Sequence, residues 1–364
     1  MKIIHMLPNV NVRVTESFIQ FISENFESDK HYFKLVTKNS VIDLNLNKLK
    51  NVEMIPNLST KDMLNTCSEY DKVIIHYLNF KTIEIFKLLF HPQIFEKIIW
   101  VAWGADLYQW KEKIEGSLSR RVSLLARNFI AKSFRRRIKY FVGIFPPDIK
   151  YFKDEFQTNS KTFYASYVGN LYNPLYKNKQ DFDDLEYKIT HDKTINIQIG
   201  HSSTKILNHL ESLQDLKKYK NENIKIYLPL NYGDMNYGDI VESEANKIFG
   251  GKVECIREMM SKEEYMQYLS TIDIAIFNTT RQIGLGNISP MLYMNKKMFM
   301  PKDSVMYNFY RSQNIDIWDY NKIKNLSFHE FIKPLNYKNG TKYIAENELN
   351  LEHKIEMWNK VFKA

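Results

Sequence analysis

The sequence predicts an α/β protein with two doubly wound parallel sheets, and three observations lead to it. Short runs rich in Ile, Val, Phe and Tyr alternate with helical stretches. The alternation stops in a polar, charged stretch over residues 169–192 and then restarts. A chain of 364 residues exceeds one ordinary core and suits two domains of roughly 150 to 180 residues each. The expected extents are an N-terminal domain over 1–168, a linker over 169–192, a C-terminal domain over 193–340 and a final helix over 341–364.

In the first half the strand candidates are "KIIHML" (2–7), "YFKLVTK" (32–38), "NVEMIP" (51–56), "KVIIHYL" (72–78), "KIIWVAW" (97–103) and "KYFVGIF" (139–145). Such apolar runs suit strands covered on both faces, and the helical stretches between them supply the cover. "TESFIQFISENF" follows the first strand, "STKDMLNTCSEY" opens with Ser59 and Asp62 at capping-box spacing, and "KTIEIFKLLF" precedes the fifth. In the second half "TINIQIG" (194–200), "NIKIYLPL" (223–230), "KVECI" (252–256), "DIAIFN" (273–278) and "KKMFMP" (296–301) repeat the pattern. Between them "SKEEYMQYLSTI" carries a second capping pair, Ser261 and Glu264. "TKYIAENELNLEHKIEMWNKVF" reads as a closing helix with Ile344, Leu351, Ile355 and Trp358 near one side, packing either on its own domain or back on the first. No repeat of solenoid period is present.

Composition excludes several classes. Apolar residues at 44% support full cores, so no disordered tail is expected. Two cysteines, Cys67 and Cys255, form neither a disulfide framework nor a metal pair, which fits the cytosol. The opening "MKIIHMLPN" is broken at His5 and Pro8, too early for a signal-peptide core, and no run reaches the ~18 apolar residues of a spanning helix. The histidines lack paired metal-ligand spacing, and the "DFD" of 181–183 sits in the linker, where solvated charge explains it; no metal and no cofactor are expected.

In a parallel sheet, ligands bind beyond the carboxyl ends of the strands. Gly200, His201, Ser202 and Ser203 follow one such end and read as a tight turn into a helix, where amides, hydroxyls and the helix dipole suit a phosphate; an ordinary Ser N-cap explains the same residues. Arg281, Gly284 and Gly286 follow another, with Asn287 opening the next helix. Tyr232, in a glycine-bearing loop, offers a ring for a base or sugar. Asp106 ends "WVAWGADLYQW" in the first half, where Trp103 and Tyr108 would exclude water and raise its pKa, as a general base on a sugar hydroxyl requires; a helix-capping Asp is the plainer reading. Glu16, in the loop after the first strand, is a second candidate carboxylate.

The net charge of +9 is concentrated: from Gly116 to Pro147 there is no Asp or Glu, while Arg120, Arg127, Arg135 and Arg136 stand among eight cations. On a helical wheel Leu118, Val122, Leu125 and Phe129 form one stripe, expected to dock on the core and leave Arg120 and Arg127 outside. Such a face suits anionic headgroups or a lipid pyrophosphate; a nucleic acid is the rival partner, but no DNA- or RNA-binding signature accompanies the basic run.

"WGADLY" (103–108), "IQIGHSS" (197–203), Glu258 with Tyr265 seven positions on, and "RQIGLGNISPMLYMNKKMFM" (281–300) together resemble the bacterial TDP-N-acetylfucosamine:lipid II N-acetylfucosaminyltransferases, glycosyltransferase family 56. The resemblance covers most of the chain, and departs at His201, where Asn is expected, and at "SPMLYM". It implies a GT-B enzyme with two Rossmann-like domains facing a cleft, donor in the second and acceptor in the first. It implies a TDP-sugar donor, a polyprenyl-pyrophosphate-linked saccharide acceptor, and work at the cytoplasmic face of the inner membrane. Carried onto this chain, it touches Asp106, Gly200, Ser202, Glu258, Arg281, Gln282, Gly284 and Gly286. A transferase using a UDP-sugar and a non-catalytic sugar-nucleotide sensor are the remaining alternatives.

Overall fold

The computed structural model of the chain describes residues 1–8, 12–36, 51–55, 58–167, 193–333 and 339–364; the expected linker and its "DFD" lie outside them. The chain divides into two compact units, Met1–Gly169 with Leu351–Ala364, and Asn170–Asn350. Unit 1 carries a seven-stranded sheet of order β3-β2-β1-β4-β5-β6-β7. Its strands are β1 (Ile3–Pro8), β2 (His31–Val36), β3 (Val52–Ile55), β4 (Lys72–His76), β5 (Ile98–Ala102), β6 (Tyr140–Gly143) and β7 (Lys161–Tyr164). Its helices are α1 (Val12–Asn25), α2 (Thr60–Glu69), α3 (Thr82–Leu88), α4 (Ala105–Tyr108), α5 (Leu118–Arg137) and α6 (Pro146–Phe156).

Unit 2 carries a six-stranded sheet of order β10-β9-β8-β11-β12-β13. The strands are β8 (Ile195–Ile199), β9 (Ile224–Pro229), β10 (Val253–Ile256), β11 (Ile274–Ile276), β12 (Lys297–Met300) and β13 (Trp318–Asp319). Its helices are α7 (His209–Leu216), α8 (Met235–Phe249), α9 (Lys262–Thr271), α10 (Leu285–Tyr293), α11 (Val305–Ser312), α12 (Phe328–Ile332) and α13 (Asn339–Asn347); α14 (Leu351–Phe362) belongs to unit 1. Every strand pairing in both sheets is parallel.

β1 and β5 are buried at every position. Successive residues feed opposite faces: Ile3 and Leu7 join the layer under α1, while Ile4 and Met6 join the layer holding Trp100 and Phe141. The capping boxes at Ser59 with Asp62 and Ser261 with Glu264 are both closed. Two strands escape the sequence reading. β7 opens on polar Lys161 and Thr162, and β13 is two residues long at a sheet edge.

The closing segment is two helices, with Asn347 and Asn350 flanking the break, a residue type at home at helix ends. Thr341 Oγ1 donates to Tyr293 O at 2.7 Å within unit 2, whereas Trp358 Nε1 donates to Ser166 O at 3.1 Å within unit 1. Among the described residues no helix is long and apolar enough to cross a membrane.

α5 departs from expectation. It buries Leu124, Asn128, Phe134 and Arg135, and turns Leu118, Val122, Leu125 and Phe129 outward. The wheel located the stripe correctly but could not say which face the sheet meets. Polar contacts fix that face: Asn128 bonds both backbone groups of Glu112, at 2.8 and 2.9 Å, and Arg135 Nη2 reaches the Asp106 carbonyl at 3.3 Å.

His5 is the polar exception within β1. Its Nδ1 lies 3.1 Å from His76 Nε2 and its Nε2 lies 3.0 Å from His31 Nδ1. His76 Nδ1 pairs in turn with the Tyr167 hydroxyl, which accepts from Trp103 Nε1 at 2.8 Å. Burial holds His5 well below its ordinary value, helped by the other two rings, and lowers His31 to about 4 and His76 to about 3. These rings are neutral in the fold and take up protons on unfolding as pH drops below the ordinary value of 6.5. Their contribution is therefore complete above that pH and lost below it, by about 1.4 kcal/mol per ring one unit down. We predict that the melting temperature, followed by calorimetry, falls on the order of 10 °C between about pH 7.5 and 5.5; a flat profile would contradict a neutral chain.

Candidate functional site

In unit 2 the first strand, β8, lies mid-sheet with β9 on one side and β11 on the other. The loops leaving β8 and β11 therefore diverge from adjacent strand ends, the geometry at which open α/β sheets hold ligands. Gly200 ends β8 in a left-handed conformation, φ 65°, and its N–H reaches Ile276 O at 2.9 Å. A Cβ there would strike His209 Nε2. Gly284 caps α10 at φ 77°, and a Cβ there would lie 2.9 Å from His201 Nδ1. Two glycines thus admit two histidines to the strand ends.

Five buried side-chain atoms of the segments that follow β8 and β11 have no hydrogen-bond partner: His201 Nδ1, both ring nitrogens of His209, Thr279 Oγ1 and Gln282 Oε1. Each such group costs ~1–3 kcal/mol. Arg281 is buried beside them and donates from Nη1 to Gln282 O at 3.3 Å. Burial pushes His201 down to about 3, with His209 and Arg281 adding repulsion, and pushes His209 to about 4. Both rings are neutral, so Arg281 and the N-terminus of α10 supply the positive potential.

Other expected residues fall into place differently. Ser202 and Ser203 do not open a helix: α7 begins at His209, after a 3-10 turn and a left-handed Asn208, φ 47°. Ser203 instead ties the β8 loop to the β9 loop, taking Tyr232 O at 2.8 Å through its N–H and donating from Oγ to Leu230 O at 3.0 Å. Ser202 Oγ lies 2.8 Å from Thr204 Oγ1. Tyr232 is half exposed, its ring centroid 6.2 Å from that of His201. Asn287 is the third residue of α10, not its opener, and its Oδ1 accepts from Tyr265. Gly286 stands exposed one residue earlier. Glu258 is exposed in the loop after β10, its carbonyl 3.3 Å from Asn231 Nδ2. Thr279 and His209 were missed because what singles them out is burial without a hydrogen-bond partner, which a sequence does not display.

Unit 1 has its own reversal, between β1 and β4. Asp106 lies beyond β5 with Gly104 (φ 94°) capping the one-turn α4, but its carboxylate is not free. Oδ2 accepts from Leu78 N and Trp100 Nε1, and Oδ1 from Trp103 N, all at 2.8 Å. Burial raises its pKa against those three donors and Arg135. Asp106 thus fastens the loop after β4 to the loop after β5, and holds Leu78 next to Tyr77, whose φ of 67° is costly for a non-glycine residue. Its burial and raised pKa are as expected. Trp103 offers its backbone, and Tyr108 donates to Asp148 Oδ1 at 2.7 Å.

Asp148 was not foreseen. Burial pushes it up to about 7, and its Oδ2 has no partner. "FPPD" was the available signal: prolines opening a helix right after a strand, with an acid in the first turn. Arg135, expected on the surface, is buried with its guanidinium 5.5 Å from the Trp100 ring. Arg120, Arg127 and Arg136 are exposed, Arg127 pairing with Glu112 at 2.9 Å. Glu16 lies within α1, not in a loop, next to Thr15, whose Oγ1 donates to Pro8 O at the end of β1. Among the described residues no group of three or more His, Cys, Asp or Glu is placed to hold a metal ion.

Asp106→Asn replaces one oxygen acceptor by an NH2 group facing buried donors. We predict a loss of roughly 2 to 3 kcal/mol in urea-unfolding stability; an unchanged midpoint would show that the three bonds are idle.

The architecture recurs in solved structures. HepE from Anabaena, in complex with UDP, superposes with a TM-score of 0.67 at 11% identity over 100% of both chains. A glycosyltransferase from Rickettsia africae gives 0.66 at 11% identity, over 100% of this chain and 97% of that one. Sucrose-phosphate synthase from Thermosynechococcus elongatus gives 0.67 at 9%, over 100% and 98%. These likenesses establish the GT-B fold. Residues 1–330 match the model of the family described as 4-alpha-L-fucosyltransferase, glycosyl transferase group 56. The chain belongs to that family and is a glycosyltransferase.

Proposed function

We propose that the protein transfers a deoxyamino sugar of the 4-acetamido-4,6-dideoxygalactose type from a TDP-sugar to a polyprenyl-pyrophosphate-linked saccharide in bacterial surface-polysaccharide synthesis, at the cytoplasmic face of the inner membrane. The observation that carries the donor half is the set of five unpartnered buried atoms beside Arg281 at the diverging loops of β8 and β11. A nucleoside diphosphate fits their chemistry. Arg281 and the start of α10 would take the charge that develops on the leaving diphosphate. Neutral His201 and His209 would donate N–H groups, and Thr279 and Gln282 would orient it. Tyr232 and Glu258, on the two neighbouring loops, would face the base and ribose. HepE, similar in fold, was solved with UDP, so a UDP-sugar donor remains the second reading.

For the acceptor we assign activation to Glu16, because the Asp106 carboxylate is fully engaged by three donors. Glu16 would take the proton of the acceptor hydroxyl as its oxygen bonds to the anomeric carbon and the bond to the diphosphate breaks, with inversion. Exposed Arg120, Arg127 and Arg136 would meet anionic lipid.

The reaction is tested by mass-spectrometric screening of nucleoside-diphosphate sugars for transfer onto a polyprenyl-pyrophosphate saccharide. We expect transfer from a TDP-sugar, with TDP raising the melting temperature more than UDP; binding without transfer from any donor would point to a sensor. Glu16→Gln should lower kcat by about 10²-fold or more with KM little changed, while folded Asp106→Asn stays within about tenfold of the parent. The opposite pattern would return the base to Asp106.

A further inference from the structure

The outward stripe of α5 is the largest departure from what a helix on a sheet does. Leu118, Val122, Leu125 and Phe129 recur every three or four residues and are 53 to 78% exposed. The neighbouring α3 adds Ile83 and Phe86, and Phe90 beyond its end packs edge-on against Phe86 at 5.2 Å. Seven of the twelve large apolar side chains exposed among the described residues fall on these two adjoining helices and their ends. A groove lined by Lys81, Ile83, Phe86, Arg127 and Ile130 runs between them. Scattered apolar side chains need no explanation, but a contiguous patch of this kind marks an interaction surface.

Charge selects the partner. α5 carries no acid, and Arg120, Arg121, Arg127, Arg136 and Arg137 are exposed along it. The acids near this face are engaged: Glu112 with Arg127 at 2.9 Å, and Glu84 with Thr60 and Lys87. A second copy of the chain would bring arginines against arginines. Nucleic acid would answer the cations but leave the apolar stripe in water. A bilayer containing anionic lipid answers both, receiving the stripe among acyl chains while guanidinium groups stay at phosphate depth.

We propose that the α3–α5 face docks on an anionic bilayer by inserting the Leu118, Val122, Leu125 and Phe129 stripe, with α5 lying in the membrane plane. This deepens the membrane contact named under the proposed function and rests on that reading, but changes its nature: hydrophobic insertion holds the protein, and the arginines orient it.

The test is flotation of the full chain with vesicles of phosphatidylcholine alone or mixed with phosphatidylglycerol, without donor or acceptor, so that it stands apart from transfer activity. The wild type should float with the mixed vesicles and retain a bound fraction at about 0.5 M salt, where surface charge is screened. Leu125→Ser with Phe129→Ser should lower partitioning on the order of tenfold or more and abolish the salt-resistant fraction, with an unchanged melting temperature because both side chains are already exposed. Arg120→Gln with Arg121→Gln, Arg127→Gln, Arg136→Gln and Arg137→Gln should remove the preference for anionic lipid. Equal flotation of the serine variant and the wild type, or wild-type binding fully reversed by salt, would overturn insertion. So would a wild-type dimer in light scattering that the serine variant converts to monomer, since the occupant would then be a second copy. Transfer to a water-soluble acceptor analogue in the absence of flotation would sink this inference and leave the reaction standing.

Discussion

A parallel sheet that starts in its middle must send its chain first to one side and then to the other, and the two segments that part there bond each other at a few points only, Gly200 N–H to Ile276 O at 2.9 Å and Asn208 Nδ2 to Asn278 O at 3.0 Å. In unit 2 that constraint falls between β8 and β11. Left-handed glycines at 200 and 284 let the loops approach without side chains of their own, so that His201, His209, Thr279 and Gln282 crowd the gap with nothing to bond. The fold tolerates a local deficit because large cores offset it: the unit 2 core includes β8, β9 and β11 residues that are almost wholly buried. In the proposed reading, binding potential is stored as unmet hydrogen-bonding capacity, in a place dictated by strand order.

Unit 1 treats the same edge in the opposite way. There one carboxylate serves two backbone amides and an indole, and a chain of three histidines is closed by Tyr167 and Trp103, while Asp148 Oδ2 is left without a partner. The result is a stiff edge that holds a strained Tyr77. Under the proposed function, an acceptor bound by unit 1 would gain from loops already fixed in place, since ordering them during binding would cost affinity. Buried neutral histidines are the liability of that design, since they lower stability as pH falls below the ordinary histidine value.

Much of this was legible in the sequence, for identifiable reasons. Strands buried on both faces announce themselves as unbroken apolar runs, and Ser-x-x-Asp and Ser-x-x-Glu pairs mark helix starts, so the sheets and the α2 and α9 caps could be read directly. Glycines after Arg281 and after "IQI" marked the loops proposed here to hold the donor. What could not be read is direction. The α5 wheel gave a stripe but not its facing, which depends on Asn128 and Arg135 finding partners far away in sequence. Asp106 looked like a lone acid because the Leu78 amide that occupies it is 28 residues distant. Ser202 and Ser203 looked like a helix cap because the Tyr232 carbonyl that claims Ser203 belongs to another loop. Composition and spacing report what a residue can do; long-range hydrogen bonds decide what remains for it to do.

The central claim is that the nucleoside diphosphate is held at the diverging loops of unit 2. Hydrogen–deuterium exchange with and without saturating TDP tests it most directly. The account predicts slowed exchange in peptides covering 200–204, 230–234 and 278–287, with the 98–108 region of unit 1 unchanged. Protection confined to unit 1, or spread evenly over both sheets, would contradict it.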